Sequence, residues 1–182
     1  VVASGYLESA LQVLQAKKNL RIMRASTPEL PEYEIRSVSG GVLVQSPDAV
    51  NDDPATWTVA GSAQPTPEQL QQAGFAWKVC AAVSSNAIVV TQNNEAVGIG
   101  GGQQNRLDAA RLACERAGTR AIGGVAASDA FFPFRDGLDM LATAGVHVVV
   151  EPGGSVRDEE VIAAANEHGI VLIFTGTRHF RH

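Results

Sequence analysis

The residues best suited to recognition chemistry lie in one run, Ser128-Asp129-Ala130-Phe131-Phe132-Pro133-Phe134-Arg135-Asp136. A core strand alternates polar and apolar residues and does not carry proline in its middle. A solvated surface loop has no use for three of the chain's six phenylalanines. The run therefore predicts a rigid, partly buried loop that presents ring faces beside an acid and a base. A planar polar ligand suits such a loop, because rings stack on its faces while charges fix its edges. The same residues would also serve to plug a core between two layers, with the charges capping the next helix. In the ligand-binding reading the run divides between rings that meet the ligand and rings that pack the core.

Four further stretches offer polar chemistry. Gly98-Ile99-Gly100-Gly101-Gly102-Gln103-Gln104-Asn105-Arg106 is not a dinucleotide fingerprint, since the third glycine of that motif would fall at Gln103. A triglycine before a helix still brings backbone N–H groups near a ligand, and the helix start favours an anion. It serves equally as a tight strand-to-helix turn with Arg106 solvated. Ser84-Ser85-Asn86 offers an amide that donates and accepts together, or simply a helix cap. Pro152-Gly153-Gly154-Ser155 is an anion or carbonyl site, or a turn with its N-cap. In Arg178-His179-Phe180-Arg181-His182 two arginines are able to hold phosphate or carboxylate, and Phe180 between them argues for docking on the body. No metal is expected: His147 and His168 are isolated, and neither His-x-Glu nor Cys-x-x-Cys occurs. No serine or cysteine sits in a nucleophile elbow.

The elements that must position these residues follow from periodicity. Helices are expected around Leu7–Leu14, from Pro67 with an interruption at Gly74, over Leu107–Cys114, through Leu138 and Leu141, and after Ser155, where Asp158 completes a capping box. Strands are expected at Leu20–Met23, Tyr33–Val38, Val42–Val44, Trp57–Val59, Ala87–Thr91, Ala96–Ile99, Val146–Val150 and Ile170–Phe174. Strands alternating with helices indicate a three-layer α/β domain, and the hairpins favour a mixed sheet. Residues 1–65 read as a lead-in helix and strands, and 66–182 as the core. A net charge of −5 argues against nucleic acid or an anionic membrane as partner. Cys80 and Cys114 form no disulfide framework, which fits a reducing, cytoplasmic compartment. The start at Val1 is neither a signal peptide nor a methionine, so the chain is expected to begin inside a longer protein.

Together, Lys17-Lys18-Asn19-Leu20-Arg21, Ser85-Asn86 with Gly98–Arg106, Ser128–Asp136, and Pro152–Asp158 with Arg178–His182 resemble the bifunctional purine biosynthesis family. That family combines AICAR transformylase (phosphoribosylaminoimidazolecarboxamide formyltransferase) with IMP cyclohydrolase. The resemblance implies a cytidine-deaminase-like fold, a homodimer, and transfer of a formyl group from 10-formyltetrahydrofolate to AICAR. It implies that Asn86, Phe131 and Arg178 contact AICAR, and that Phe180 and His182 close that site. With Phe131 on the ligand, Phe132 and Phe134 are expected to pack the core. It places Arg106, Asp136, Ser155 and Val156 on the folate side. The family's catalytic Lys-His pair lies in a Lys-His-Asn-x-Pro-Cys-Gly motif, and this sequence has no Lys-His pair. The cyclohydrolase domain is missing too. The chain is thus expected to be a C-terminal part of the transformylase region, holding ligand contacts without proton-transfer residues. The competing reading is a non-catalytic nucleotide- or folate-binding module.

Overall fold

The computed structural model describes residues 1–26, 29–50 and 53–180. The chain forms two compact units, Val1–Ala49 and Val50–His182. In the first, β1 (Val2–Ala3) is followed by α1 (Glu8–Gln15), β2 (Met23–Arg24), β3 (Glu34–Val38) and β4 (Gly41–Gln45). Strands β1 and β2 pair in parallel, and the Tyr6 hydroxyl donates to the Met23 carbonyl at 2.7 Å. Strands β3 and β4 form an antiparallel hairpin, turned at Gly40 with φ of +79°. No described residue of this unit is buried, and the hairpin leaves Ile35, Val42, Leu43 and Val44 exposed.

The second unit contains, in chain order, β5 (Thr58–Val59), α2 (Pro67–Ala81), β6 (Ile88–Gln92), β7 (Glu95–Gly100), α3 (Arg106–Ala117), β8 (Val125–Ser128), α4 (Asp136–Thr143), β9 (Val148–Glu151), α5 (Asp158–His168) and β10 (Val171–Phe174). Its sheet runs β5-β10-β9-β8-β6-β7. Strands β8, β9 and β10 are mutually parallel, while β5, β6 and β7 add antiparallel pairs, so the sheet is mixed. The unit includes residues before 66 because Val59 and Thr58 pair with Ile173 and Phe174 of β10.

Alternate residues of the strands enter two apolar clusters, as period-two geometry requires. Ile88, Val90, Ala126, Val149 and Leu172 pack with α3, α4 and α5. Val89, Val125, Ala127, Val148, Val150 and Ile173 pack with α2. Helix α2 begins on a capping box: the Thr66 hydroxyl accepts from Gln69 N–H at 3.2 Å, and the Gln69 side chain accepts from Thr66 N–H at 2.8 Å.

Three local expectations differ from the fold. Gly74 does not interrupt α2; it is a buried helical residue against Pro54, whose Cγ would lie 3.0 Å from an added Cβ. Strand β8 was not foreseen, because Val125-Ala126-Ala127-Ser128 lacks the β-branched run that marks a strand. The glycines of β7 admit a helix rather than a ligand. A Cβ on Gly98 would lie 2.0 Å from the Ala113 carbonyl oxygen, and one on Gly100 would lie 2.1 Å from that of Ala109. Bare Cα atoms thus let α3 lie directly on the strand.

Candidate functional site

The residues that reach the carboxyl end of β8 converge on one buried carboxylate. Asp129 follows β8 and is wholly inaccessible. It ion-pairs with Arg106 of α3, accepts from the Ser85 hydroxyl, and accepts from Ala87 N–H at 3.0 Å. Arg106 is itself buried and donates to the Ala87 carbonyl at 3.1 Å and to Asn86 Oδ1 at 3.1 Å. Arg106 is therefore not solvated, because the Asp129 charge and two further acceptors replace its water.

Asn86 follows a cis Ser85–Asn86 peptide bond. Its Nδ2 donates to the Gln103 carbonyl at 2.8 Å, and backbone hydrogen bonds between residues 86 and 103 run both ways. An amide has two N–H donors and two oxygen lone pairs, so each end keeps capacity for a ligand. Orientation is set from behind, by Arg106 and Gln103. The adjacent start of α3 is capped by Asn105, whose side chain accepts from Asp108 N–H at 2.7 Å.

The C-terminal segment is anchored through His179, which the sequence reading did not single out. His179 is buried, its ring lies 5.2 Å from that of Trp77, and its backbone N–H donates to the Asp129 carbonyl at 3.1 Å. Arg178 and Phe180 flank this anchor and are exposed, with the Arg178 guanidinium 5.9 Å from the Phe180 ring centre.

Together these elements frame a cleft of about 340 Å³ lined by Asn86, Gln104, Asn105, Arg106, Ala130, Phe131, Pro133, Arg178 and Phe180. It offers ring faces, amides, a helix N-terminus and Arg178, and none of its described lining residues is acidic. Asp129 balances Arg106, which leaves Arg178 and the helix end as the net positive features among the described residues. The arrangement suits a planar, anionic ligand that carries an amide. Among the described residues the lining holds no histidine, lysine, cysteine or carboxylate, so those residues supply no general base. Cys80 is buried beneath, and burial raises its thiol far above the ordinary value, which leaves it inert. Among the described residues no cluster of histidine, cysteine, aspartate or glutamate is suited to hold a metal ion. No helix among them is long and apolar enough to cross a membrane.

A family model described as AICARFT/IMPCHase bienzyme matches residues 1–116. This chain belongs to that family. The bifunctional purine biosynthesis protein PurH of Mycobacterium leprae (strain Br4923) is 52% identical over 185 residues, covering 100% of this chain and 35% of the relative. PurH of Mycobacterium marinum (strain ATCC BAA-535 / M) is 53% identical over 185 residues, again 100% and 35%. PurH of Corynebacterium glutamicum (strain R) is 50% identical over 186 residues, covering 100% of this chain and 36% of the relative. The chain thus spans about a third of the length of these relatives. Among solved structures, Acinetobacter baumannii RibD, form 2, matches with a TM-score of 0.38 and 19% identity, over 58% of this chain and 33% of that one.

Of the positions that the bienzyme family implies, Asn86, Arg106, Phe131, Arg178 and Phe180 line the one cleft. Asp136, Ser155 and Val156 do not. Asp136 is exposed at the start of α4, where it accepts from Gly137 N–H at 2.7 Å. The Val156 side chain is fully exposed. The turn before α5 does bind an anion, but its own: Gly154 and Ser155 N–H donate to the Asp158 carboxylate at 2.7 and 2.9 Å. Only that half of the expected capping box forms, since the Ser155 hydroxyl accepts from Arg157 N–H instead. His182 lies outside the described residues.

The aromatic run divides differently from expectation. Phe132 is wholly buried and Phe131 borders the cleft, but Phe134 is 48% exposed. The Arg157 guanidinium covers the Phe134 ring at 4.7 Å, so that ring packs beneath a charged side chain and not in the core. Arg135, the base expected beside the rings, instead joins Asp139 at 2.8 Å and Glu167 at 2.6 Å. Those hydrogen bonds hold both carboxylates below their ordinary pKa values.

Proposed function

We propose that this chain forms the AICAR-binding part of an AICAR formyltransferase, which takes its formyl group from 10-formyltetrahydrofolate in purine synthesis. The observation that carries this reading is the convergence of Asn86, Phe131 and Arg178 on one cleft. Arg178 and the α3 terminus meet the phosphate, Phe131 packs on the imidazole, and Asn86 reads the carboxamide. The folate is read at the Asp136 and Ser155-Val156 side, outside the lining residues, with Arg106 joining the two.

The chemistry also says what the cleft lacks. The AICAR amine is conjugated with its ring and hydrogen-bonded to the carboxamide, which makes it a weak nucleophile. As it attacks the formyl carbon, a base must take its proton and a donor must stabilise the oxyanion. Each contribution is worth on the order of 10²–10³ in rate. The cleft supplies orientation and the family's Lys-His motif supplies the rest, so the 182 residues alone are expected to bind AICAR without turnover. Titration with AICAR and a formyl-transfer assay in a host lacking its own transformylase check both halves. Absence of AICAR binding overturns the site, and turnover overturns the division of labour.

The competing reading, a non-catalytic nucleotide- or folate-binding module, is favoured by the absence of a Lys-His pair from the sequence. A polypeptide of the relatives' full length carrying this region decides between them by showing turnover or none. The remainder of the reading comprises a three-layer cytidine-deaminase-like fold, a homodimer and a cytoplasmic setting. The two apolar clusters, the exposed apolar hairpin β3–β4 and the two free cysteines support these in turn.

The aromatic run gives a direct check. Phe131→Leu is expected to weaken AICAR binding with little change in melting temperature, since a ring face is lost while apolar volume is largely kept. Phe132→Leu is expected to cost about 1 kcal/mol or more of stability with less effect on binding. Thermal melts and AICAR titrations at one pH compare them. If Phe131→Leu melts early and binds normally, the ring belongs to the core.

A further inference from the structure

Behind the cleft, Glu151 closes β9 and is wholly inaccessible. The strand presents it rigidly: it pairs in register with Phe174, and its carbonyl accepts from Thr175 N–H at 2.9 Å. Glu151 Oε2 accepts from Phe132 N–H at 2.8 Å. Oε1 is buried with no hydrogen-bond partner among the described residues. The aromatic run has left β8 at this point, so the sheet ladder no longer provides an acceptor for that N–H. A buried N–H needs one.

The Phe132 N–H belongs to the peptide that joins Phe131 to Phe132. Fixing that peptide fixes the backbone ψ of Phe131, and with it the direction in which the Phe131 ring enters the cleft. One residue before Phe131, the Ala130 carbonyl accepts from the Ser128 hydroxyl at 2.6 Å. The run is thus held from the strand before it and from the neighbouring strand. We infer that Glu151 is a positioning residue for the cleft, its buried carboxyl holding the Phe132 peptide and thereby aiming the Phe131 ring. This inference rests on reading the cleft as the AICAR site.

The carboxyl does this as a neutral acid. Its ordinary value of 4.5 is pushed up to about 8, chiefly by burial and further by Asp158 at the start of α5. The Phe132 N–H and Arg106 of α3 act in the opposite direction, and Arg106 is already engaged by Asp129. Because the folded value lies above the unfolded one, the contribution to stability is full below about 4.5, declines as pH rises, and is gone above about 8. Ionisation strengthens the single bond from Phe132 N–H but leaves a buried charge whose Oε1 has no partner among the described residues, so the carboxylate is expected to turn toward water and release that peptide over the same upper range.

The test compares wild type, Glu151→Gln and Glu151→Met. Protection of the Phe132 amide against hydrogen exchange is read by NMR, and AICAR affinity is measured at pH 7 and pH 9. Glutamine keeps an acceptor and cannot ionise; methionine keeps the volume and has no comparable acceptor. Glu151→Met is expected to lower Phe132 protection and AICAR affinity by roughly tenfold each, the scale of one lost hydrogen bond. Glu151→Gln should retain both at pH 7 and lose the decline in affinity that wild type shows by pH 9. A folded Glu151→Met protein with wild-type protection and affinity overturns the inference, as does a Gln variant that keeps the wild-type decline. If Glu151→Met does not fold, the wild-type and Gln pH profiles decide. If wild type binds no AICAR, the functional reading has failed, and Phe132 protection alone reports whether Glu151 holds the loop.

Discussion

Replacing Asp129 with alanine is expected to remove about 3–5 kcal/mol of folding stability, the usual consequence of stranding one member of a buried ion pair. Arg106 would remain buried with its principal counter-charge gone, and the Ser85 hydroxyl and Ala87 N–H would each lose an acceptor. A loss of that size approaches the whole stability of many domains, which is about 5–15 kcal/mol. The double variant Asp129→Leu/Arg106→Met provides the control. Replacing both charges with apolar groups of similar volume often costs little, so the double variant should be more stable than Asp129→Ala. It should still bind AICAR poorly, because the Asn86 amide loses the Arg106 donor that orients it. Urea unfolding of the three proteins measures the effect. A loss below about 1 kcal/mol for Asp129→Ala, within the range of ordinary substitutions, would mean that water enters and solvates Arg106.

Replacing Arg178 with alanine should act on the opposite property. The side chain is exposed and joins no ion pair among the described residues, so the melting temperature should barely change. AICAR affinity should fall by tenfold or more, since a charge-assisted contact to phosphate contributes roughly 1.5–3 kcal/mol. The phosphate-free riboside of the same base separates charge from shape. Its affinity should be lower at the outset and unaffected by the substitution. Equal losses for nucleotide and riboside would show that Arg178 shapes the tail around Phe180 and does not meet the phosphate.

These two residues also show why part of the site was legible in the sequence and part was not. Arg178, Phe131 and Asn86 stand out because their types are unusual for their surroundings: cations after an apolar strand, rings beside proline, an amide before a buried run. Arg106 stood out as well, but its burial did not. Its partner Asp129 is 23 residues away, and only the pairing of β6 with β8 brings Ala87 and Asp129 together. Glu151 was invisible for a similar reason, since a glutamate at the end of a valine strand ordinarily faces water. Among the elements, α2 and α3 were legible from apolar periodicity and α5 from its capping-box spacing, whereas β8 was hidden by its two alanines. The glycines of β7 were noticed but left open between a ligand site and a tight turn, because a bare Cα serves either equally well.

The seating of α3 on Gly98 and Gly100 bears on any survey of variants scored by growth or flux. Both positions should rank beside Asn86 and Arg178 for intolerance, although neither has a side chain with which to recognise anything. Their substitutions displace α3, and Arg106 with it, so the damage reaches the cleft from below. Protein abundance measured in parallel would tell the two kinds apart. Variants at Arg178 would accumulate normally while failing to bind, and variants at the two glycines would be depleted before binding is ever at issue.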